Sequence, residues 1–467
     1  MDETVSIEKR VALLVEDDAI FRRLLAKKLT AAGFEVREAA NGLMAKTIFD
    51  LSPTTFSLVI TDVRMPEFDG VQLLAHIRKT SKVPVVVMTG FSEILESKTA
   101  LDLGANGFLP KPFKADTLLN VIEDAINPDR KVEGKAGAAA PKFCQIHISE
   151  FISSTHLQSD LYVRLAETKY VKVAHRGDAI PVERLKVYQE RKVDFLYVAM
   201  EDFSRYVDFN IKVSQSALKS QLVSKQMKLK LLQNTSEAIA EKCFIAEIDP
   251  ETLAPAQQML ESTLQLVTED QDILQLVSGF QGHSNKLYAH SVAVSFFACM
   301  IARQHGWKSA NTLFKVSIAG LLHEIGKREL PVELLEKPRL HLSVSEIKHI
   351  ETHPLRGRDI VEKIPSLPED IGVIVAQHHE NVFGSGYPLR LKGEAVHPIA
   401  RILAVADRFC SLIIPIDAGT IKVTPKEAAI KLRNFYGDEL DEKFVTDLLR
   451  VLRVDERAPG RSVAKAS

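Results

Sequence analysis

Histidine is unevenly distributed in this 467-residue sequence, because 10 of its 14 histidines fall between residues 283 and 397. Some stand beside carboxylates in apolar stretches: LFKVSIAGLLHE ends in His323 and Glu324, IVAQHHE contains His378 and His379, and ARILAVAD ends in Asp407. Buried imidazoles and carboxylates are costly unless they are hydrogen-bonded or bound to a metal. One isolated histidine of this kind favours a core residue with a hydrogen-bond partner. Several such groups on successive helices favour a shared metal site.

Five polar side chains in the first 111 residues each stand at the end of a short apolar run: Glu16, Asp17, Asp62, Thr89 and Lys111. If these runs are parallel strands, their carboxyl ends form one crevice and the five side chains are neighbours. Three crowded carboxylates repel one another unless a hard cation lies among them, and oxygen ligands suit Mg2+. The cation would neutralise a phosphoryl group arriving at Asp62, while Lys111 and Thr89 hold its remaining oxygens. The alternative is that acidic residues stand at strand ends by chance.

The first part of the chain, residues 11–126, alternates five predicted strands with five predicted helices. The strands are 11–15, 34–37, 57–61, 84–89 and 107–109, and the helices lie near 18–31, 42–50, 70–79, 93–103 and 114–126. Near-continuous apolar strands between helices predict a doubly wound, five-stranded parallel sheet. The next segment, 127–141, is rich in small and polar residues, which is typical of a linker.

The remaining segments predict two further domains. Residues 142–210 hold short β-type runs and one helical stretch near 181–191, which predict a small α+β domain. Residues 251–453 are helical almost throughout, which predicts an all-α domain. The chain is therefore expected to be multidomain.

Between these two domains, residues 211–250 are predicted to form a connecting helix, with one long helical pattern over 211–240. Two heptad positions recur in it, one shared by Ile211, Leu218 and Leu232 and the other by Leu222 and Leu229. This helix either lies on a neighbouring domain or dimerises as a connector.

Composition and charge narrow the class of protein. Hydrophobic residues make up 46% and charged residues 26%, a balance that is typical of globular proteins and argues against disorder. A formal net charge of -1 indicates neither DNA binding nor attachment to a membrane surface. The four cysteines lie far apart without a CxxC pair, as expected of reduced thiols, and no apolar run or leader pattern indicates membrane insertion or export. We expect a cytoplasmic protein.

Residues 8–126 also contain DVRMPEFDG (62–70) and KPF (111–113), and the whole set closely resembles the receiver domain of two-component response regulators. The resemblance implies that Asp62 is the phospho-acceptor, and that a sensor histidine kinase is the partner that phosphorylates it. The Mg2+ ligands are expected to be Glu16, Asp17 and Asp62. The residues that bind the phosphoryl group or switch with it are expected to be Thr89, Lys111 and Phe108. The proline after Lys111 is often cis in this family.

The motifs YAHSVAV, LLHEIGK, THPLRG, QHHE and GSGYP occur in this order within the all-α region. They resemble the HD-GYP subfamily of the HD superfamily of metal-dependent phosphohydrolases, over about residues 275–450. The resemblance implies two divalent metals, Fe or Mn, with the ligands His290, His323, Glu324, His353, His378, His379 and Asp407. It gives catalytic roles to Glu324 and to Lys327, which steadies the scissile phosphate. The substrate loop is expected to contain Gly384, Gly386, Tyr387 and Pro388.

Several positions depart from the pattern of that subfamily. Glu324 stands where the defining aspartate is usual, and its longer side chain would shift a bridging oxygen by roughly an ångström. Lys286 stands where three-metal members carry a glutamate ligand, so a third metal is not expected. Cys410 replaces a second aspartate, and the basic stretch that grips the dinucleotide is absent, with Arg408 as its one candidate substitute. Phe383 replaces the aspartate before the Gly-x-Gly-Tyr-Pro loop.

The resemblance implies a response regulator whose HD-GYP output hydrolyses cyclic di-GMP to pGpG and GMP under control of Asp62 phosphorylation. The first alternative is a catalytically degenerate output that binds metal, nucleotide or protein under the same control, and the second is hydrolysis of another nucleotide. Expected partners are a sensor histidine kinase, cyclic di-GMP or a related nucleotide, a diguanylate cyclase or another protein, and a second copy of the chain in a homodimer.

Overall fold

The computed structural model describes residues 10–89, 99–100, 103–111, 113, 115–127, 143–152, 156–166, 169–246, 248, 250–282, 285–414, 423–437 and 439–454. Most of the predicted helix at 93–103, the predicted linker after residue 127 and the proline after Lys111 lie outside these residues. The chain divides into two compact units, Met1–Asp202 and Phe203–Ser467.

The first unit begins with a five-stranded parallel sheet. Its strands are β1 (Arg10–Val15), β2 (Phe34–Ala39), β3 (Phe56–Asp62), β4 (Val85–Thr89) and β5 (Gly107–Pro110), in the order β2-β1-β3-β4-β5. The described helices are α1 (Ala19–Ala31), α2 (Gly42–Leu51), α3 (Gly70–Ile77) and α4 (Ala115–Ile126). Buried apolar side chains pack on both faces of the sheet. The predicted doubly wound fold is confirmed.

A glycine fixes how closely α3 approaches the end of β3. A Cβ atom at Gly70 would lie 1.9 Å from the carbonyl oxygen of Asp62, so no larger residue fits without moving the backbone. Asp69 begins the helix in a capping box with Gln72, which satisfies backbone N–H groups at both positions. The turn after Asp62 is thereby held against the sheet.

The same unit continues with a four-stranded antiparallel sheet. Its strands are β6 (Phe143–His147), β7 (Leu161–Ala166), β8 (Lys169–Ala174) and β9 (Phe195–Ala199), in the order β6-β9-β7-β8. One helix, α5 (Val182–Glu190), lies between β8 and β9 in the chain and buries Leu185 and Tyr188. The predicted small α+β arrangement is confirmed.

The single long helix predicted over 211–240 is wrong. Instead, α6 (Met200–Lys219) and α7 (Lys225–Ile245) are separate helices, and the Ser224 side chain caps the second by accepting from Met227 N. The hydroxyl oxygens of Ser214 and Thr235 lie 2.8 Å apart, so the two helices pack against each other. Leu222, at a predicted heptad position, is 98% exposed between them. The heptad pattern continued across a turn and therefore did not reveal it.

All the regular secondary structure among the described residues of the second unit is helical. Its further helices are α8 (Pro250–Leu266), α9 (Asp270–Gly282), α10 (Lys286–Gln304), α11 (Ala310–Leu322), α12 (Val332–Glu336), α13 (Val344–Ile350), α14 (His353–Val361), α15 (Asp370–Gln377), α16 (Pro398–Ile413), α17 (Pro425–Tyr436) and α18 (Glu442–Val451). Short 3-10 turns cover Ile325–Glu329, Arg339–His341 and Gly393–Ala395. The prediction of an all-α domain is confirmed for this part of the chain. No helix among the described residues combines the length and apolarity needed to cross a bilayer.

Two buried helices, α10 and α16, contain the polar residues His290 and Asp407. Most of α10 is buried, including several of its alanine and serine residues. A Cβ atom at Gly320 of α11 would lie 2.7 Å from Ser295 Cα, so the glycine allows α10 and α11 to cross closely. α16 is also mostly buried, including Asp407. Helices that are apolar on all sides belong in a core, so polar groups on them need partners there.

Candidate metal centre and phospho-acceptor site

In the first unit, three carboxylates meet at the carboxyl edge of the parallel sheet. Glu16, Asp17 and Asp62 each offer an oxygen, and these oxygens lie within 4.8 Å of one another. Lys111 Nζ lies 2.7 Å from Glu16 Oε2 and 3.0 Å from Asp62 Oδ2. This arrangement brings together the acidic set and the lysine that the sequence singled out.

Burial and mutual repulsion shape the charges of this cluster. Burial raises the pKa of Glu16 to about 7, and the charge of Asp62 adds to that rise. Burial alone would lower the pKa of Lys111, but the hydrogen bond from its ammonium to Glu16 and the charge of Asp62 raise it instead. The cluster thus concentrates negative charge around one cation, and a divalent ion among the same oxygens would relieve the repulsion.

The two other candidate residues of the first unit lie on neighbouring strands. Thr89 ends β4 and is buried, and its carbonyl oxygen accepts from Lys111 N at 2.7 Å. Phe108 is buried in β5 opposite Val87 of β4. The register of β4 and β5 therefore brings Thr89 and Lys111 to the same edge of the sheet.

In the second unit, two groups of candidate ligands share one carboxylate. His290, His323 and Glu324 form one group, and Glu324 with His353, His378 and His379 forms the other. Within each group the ligand atoms lie within 4.8 Å of one another. The residues come from α10, from the turn after α11, from the start of α14 and from the turn after α15.

Asp407 of α16 joins both sides of this cluster. Its Oδ1 lies 3.0 Å from His290 Nε2, and its Oδ2 lies 3.5 Å from His379 Nδ1. Lys327 lies at the same centre, because its Nζ is 2.7 Å from Glu324 Oε1. All seven ligands expected from the sequence, together with Lys327, are therefore brought into one place.

Three imidazoles are oriented by the same local device. The Nδ1 atoms of His323, His353 and His378 each lie within hydrogen-bond distance of the carbonyl oxygen three residues earlier, at 2.7, 2.8 and 2.6 Å. Such a bond turns the other ring nitrogen, Nε2, toward the centre, as is usual for histidines that hold a metal. Each histidine stands at a helix end or start, where carbonyl groups are free to accept.

The protonation of the cluster suits a cation. Burial lowers the pKa of His323, His353 and His378 to about 4 each, so these rings are neutral at pH 7. Burial alone would raise the pKa of Glu324, but Lys327 and the surrounding histidines lower it well below its usual range. Neutral imidazoles and ionised carboxylates are the forms that bind metals.

The donor set therefore fits a divalent-metal centre. His323 Nε2 is buried and has no hydrogen-bond partner among the residues the structure describes. An orphaned ring nitrogen in a protein interior is costly unless a ligand occupies it. Nitrogen and oxygen donors without thiolate agree with Fe or Mn and do not exclude Zn.

The loop after the His378–His379 pair lies against the backbone of that pair. A Cβ atom at Gly386 would lie 2.5 Å from His379 O, so glycine allows the contact. Gly384 adopts a φ of +77°, which also favours glycine. The Tyr387 ring centroid is 4.6 Å from that of His379, and the Tyr387–Pro388 bond is cis. Of the predicted loop residues, Gly386 and Tyr387 therefore lie beside His379.

Reasoning from the sequence missed two residues that shape this site. Glu380 is 2% exposed and accepts from the backbone of the loop. Gly326 packs so closely on α14 that a Cβ atom there would lie 2.0 Å from His353 O. Both residues contact backbone atoms that are distant in the sequence. The only signal in the sequence was their position, Glu380 directly after His378–His379 and Gly326 shortly after Glu324.

The departures from the expected pattern are also visible. Lys286 Nζ donates to the carbonyl oxygen of Gln281 at the start of α10. Cys410 is fully buried, and burial holds the pKa of its thiol well above its usual range. Arg408 points to the Tyr436 ring, 4.7 Å from its centroid, and Phe383 is 57% exposed. The one candidate substitute for the basic stretch thus already has an aromatic partner.

Two family models match separate parts of the chain. The response regulator receiver domain matches residues 12–123, and the HD domain matches residues 257–443. An HD domain points to divalent-metal binding in general.

Curated relatives match the receiver region. The probable transcriptional regulator ycf27 of Cyanophora paradoxa is 37% identical over 114 residues, which cover 24% of this chain and 47% of that protein. The transcriptional regulatory protein PdtaR of Mycobacterium tuberculosis is 36% identical over 140 residues, covering 30% of this chain and 67% of that protein. The chain spans about half the length of the first curated relatives it matches.

One solved structure matches a larger part of the chain. It is an HDG"Y"P protein from Bdellovibrio bacteriovorus, with a TM-score of 0.51 and 20% sequence identity. The match covers 67% of this chain and all of that one. At this level of identity the similarity shows a common fold.

Proposed function

Because this chain belongs to the response regulators and joins a receiver domain to an HD domain, we propose that its HD domain is a cyclic di-GMP phosphodiesterase controlled by phosphorylation of Asp62. Hydrolysis adds water across a phosphodiester bond and gives pGpG, then GMP. The proposed domain limits are 8–126 for the receiver, 127–141 for a linker, 142–210 for the middle domain, 211–250 for the connection and 251–453 for the phosphohydrolase.

The observation that carries the proposal is the convergence of two ligand groups on Glu324. A buried centre with five histidines around one shared carboxylate, and Asp407 beside it, favours two ions rather than one. When bound, a pair of divalent ions supplies Lewis-acid activation of water and neutralises charge on the phosphodiester. The expected ions are Fe or Mn.

The chain's own residues supply binding and orientation in this proposal. Lys327 donates to Glu324, and its side chain is 18% exposed, which leaves the ammonium able to contact a phosphate oxygen as well. The loop with Gly384, Gly386, Tyr387 and Pro388 would border the dinucleotide. At the receiver, Glu16, Asp17 and Asp62 would hold Mg2+, and Thr89 and Lys111 would bind the phosphoryl oxygens.

A second candidate is a domain that binds metal, nucleotide or a protein partner without turnover. Two observations favour it: Cys410 is buried where the related subfamily has an aspartate, and Arg408 lies over Tyr436. In that case the chain would remain a phosphorylation-controlled regulator, with a diguanylate cyclase or another protein as its partner.

The deciding experiment is hydrolysis by protein reconstituted with Mn2+ or Fe2+. We expect pGpG and GMP from cyclic di-GMP, and we expect His323→Ala to produce neither. A second incubation with other cyclic and linear nucleotides tests whether one of them is hydrolysed faster. Absence of any product at measured full metal occupancy, with beryllofluoride present, would favour the second candidate.

A further inference from the structure

Glu380 follows the metal-ligand pair His378–His379 directly but is not among the ligands. Its side chain is 2% exposed. One carboxylate oxygen accepts from Leu389 N at 2.6 Å and the other from Leu391 N at 2.9 Å. Hydrogen bonds from backbone N–H groups to a carboxylate are among the stronger ones in proteins, and losing one of them in a buried place is costly.

These two bonds hold the middle of the loop, whereas other bonds hold its ends. Val382 N donates to Glu439 O at 3.1 Å, and Gly393 N donates to Val382 O at 3.2 Å. The ends of the loop therefore stay attached to the domain when the Glu380 bonds are removed. A change at Glu380 should loosen residues 388–391, directly after Tyr387, without unfolding the domain.

The loop lies at the open side of the metal centre. The side chains of His353 and Glu324 are 1% and 5% exposed, whereas those of His379 and Asp407 are 20% and 13% exposed. Tyr387 N donates to His379 O at 3.2 Å, and its ring packs on the imidazole of His379. The position of Tyr387 thus decides the shape of the side from which a substrate must enter.

We propose that Glu380 is a positioning residue that fixes Tyr387 and its loop at the open side of the centre, and so sets the affinity for the nucleotide without holding metal. The inference rests on the proposed phosphodiesterase function. It differs from a metal-binding role, because both oxygens of Glu380 face backbone N–H groups of the loop.

The test compares Glu380→Gln with Glu394→Gln, a matched change of an exposed carboxylate at the end of the same loop. The glutamine keeps one acceptor oxygen but turns an N–H group toward a backbone N–H, so one bond is lost. We expect amide exchange of Leu389 or Leu391 to rise about tenfold or more, with unchanged metal content and a melting temperature lower by only about 2–4 °C. With cyclic di-GMP, KM should rise about tenfold while kcat stays within about threefold.

The outcomes separate this inference from the proposed function. Exchange rates in Glu380→Gln that equal those of Glu394→Gln would overturn the inference, whether or not the protein hydrolyses cyclic di-GMP. Loss of metal from Glu380→Gln would also overturn it, because Glu380 would then support the centre itself. Faster exchange with full metal supports the loop contact even if no nucleotide is hydrolysed, and that result would count against the phosphodiesterase alone.

Discussion

At the scale of single residues, Glu324 is the central residue of the cluster, because both groups of candidate ligands include it. An aspartate would be shorter, yet here the longer carboxylate faces Lys327 through Oε1 and His353 Nε2 through Oε2, at 2.7 and 3.2 Å. The carboxylate of Glu324 therefore stays within the cluster despite its extra methylene group. A buried carboxylate that serves two sides is difficult to replace by a neutral group.

We predict that Glu324→Gln lowers the affinity for Mn2+ about tenfold or more. The amide cannot bridge two ions, and the change leaves Lys327 without its anionic partner. Equilibrium dialysis followed by elemental analysis measures the loss. Glu333→Gln, at an exposed position of α12, is the control and should bind metal like the parent protein. Equal affinities in the two variants would mean that Glu324 is not a ligand.

The buried histidines predict a pH dependence for the metal-free protein. Burial lowers the pKa of His323, His353 and His378 to about 4, whereas an unfolded histidine titrates near about 6.5. Between these values the unfolded chain binds protons that the folded chain does not, so the free energy of unfolding falls as pH drops from about 6.5 to about 4. The contribution of these buried neutral histidines to the free energy of unfolding is therefore fully present above about pH 6.5 and is lost as the pH falls toward about 4.

Urea unfolding of the metal-free protein at pH 7 and pH 5 measures this effect. The only tryptophan, Trp307, lies in the second unit, so its fluorescence follows the unit that contains the histidines. We expect a lower urea midpoint at pH 5, and His353→Ala should reduce the difference between the two pH values. A midpoint that does not change with pH would contradict the buried neutral state of these rings.

The sequence pointed to the candidate ligands more readily than to the residues that support them. His323, His378 and Asp407 stood out because titratable groups are rare in apolar helices. Glu380 and Gly326 gave no such signal. Their partners are backbone atoms of residues 9 to 31 positions away, and a contact with backbone leaves no pattern of residue types to recognise.

At the scale of elements, the centre depends on the close approach of the 3-10 turn Ile325–Glu329 to α14. A Cβ atom at Gly326 would lie 2.0 Å from His353 O and 2.5 Å from Gly357 N, so both segments would have to separate. The turn begins directly after Glu324, and α14 begins with His353. A shift between these two elements would therefore move two candidate ligands, Glu324 and His353, apart.

We predict that Gly326→Ala destabilises the second unit by about 1–3 kcal/mol and abolishes tight metal binding. Gly393→Ala adds the same methyl group in open space, at a φ of +54°, and should cost stability while keeping metal. Trp307 fluorescence in urea and metal content after dialysis measure the two effects. Retention of metal by Gly326→Ala would show that the turn and α14 can separate without moving the ligands.

The sequence predicted the strands of the parallel sheet better than it predicted the helix boundaries. The strands of the parallel sheet were predicted within one or two residues, because a sheet covered on both faces demands nearly continuous apolar runs. The break between α6 and α7 was missed, because leucines recur at helical spacing on both sides of it. The serine that caps α7 was the one local sign of a new helix.

At the scale of the whole molecule, the sequence predicted the succession of folds but not the manner of control. The sequence shows a coarse pattern: strands alternate with helices, then a short mixed region follows, and the rest is helical. This pattern remains recognisable even where the boundaries of single elements are predicted wrongly. Control depends on the difference in free energy between the conformations that the protein adopts with and without the phosphoryl group. A pattern of apolar residues does not reveal that difference. The division between the two units falls inside α6, so this helix is the covalent path that any signal from Asp62 can follow.

The last prediction tests that path in the intact chain. A phosphoryl group on Asp62 adds negative charge beside Glu16 and Lys111, and it offers new oxygens to Lys111 and Thr89. Such a local change reorders a receiver when its elements have two stable arrangements. We predict that beryllofluoride, a mimic of the phosphoryl group, promotes homodimerisation or changes the rate of cyclic di-GMP hydrolysis about fivefold or more. Light scattering and product chromatography measure the two responses, and Asp62→Asn should abolish both. If the mimic is bound at Asp62 and neither property changes, the receiver does not control the second unit.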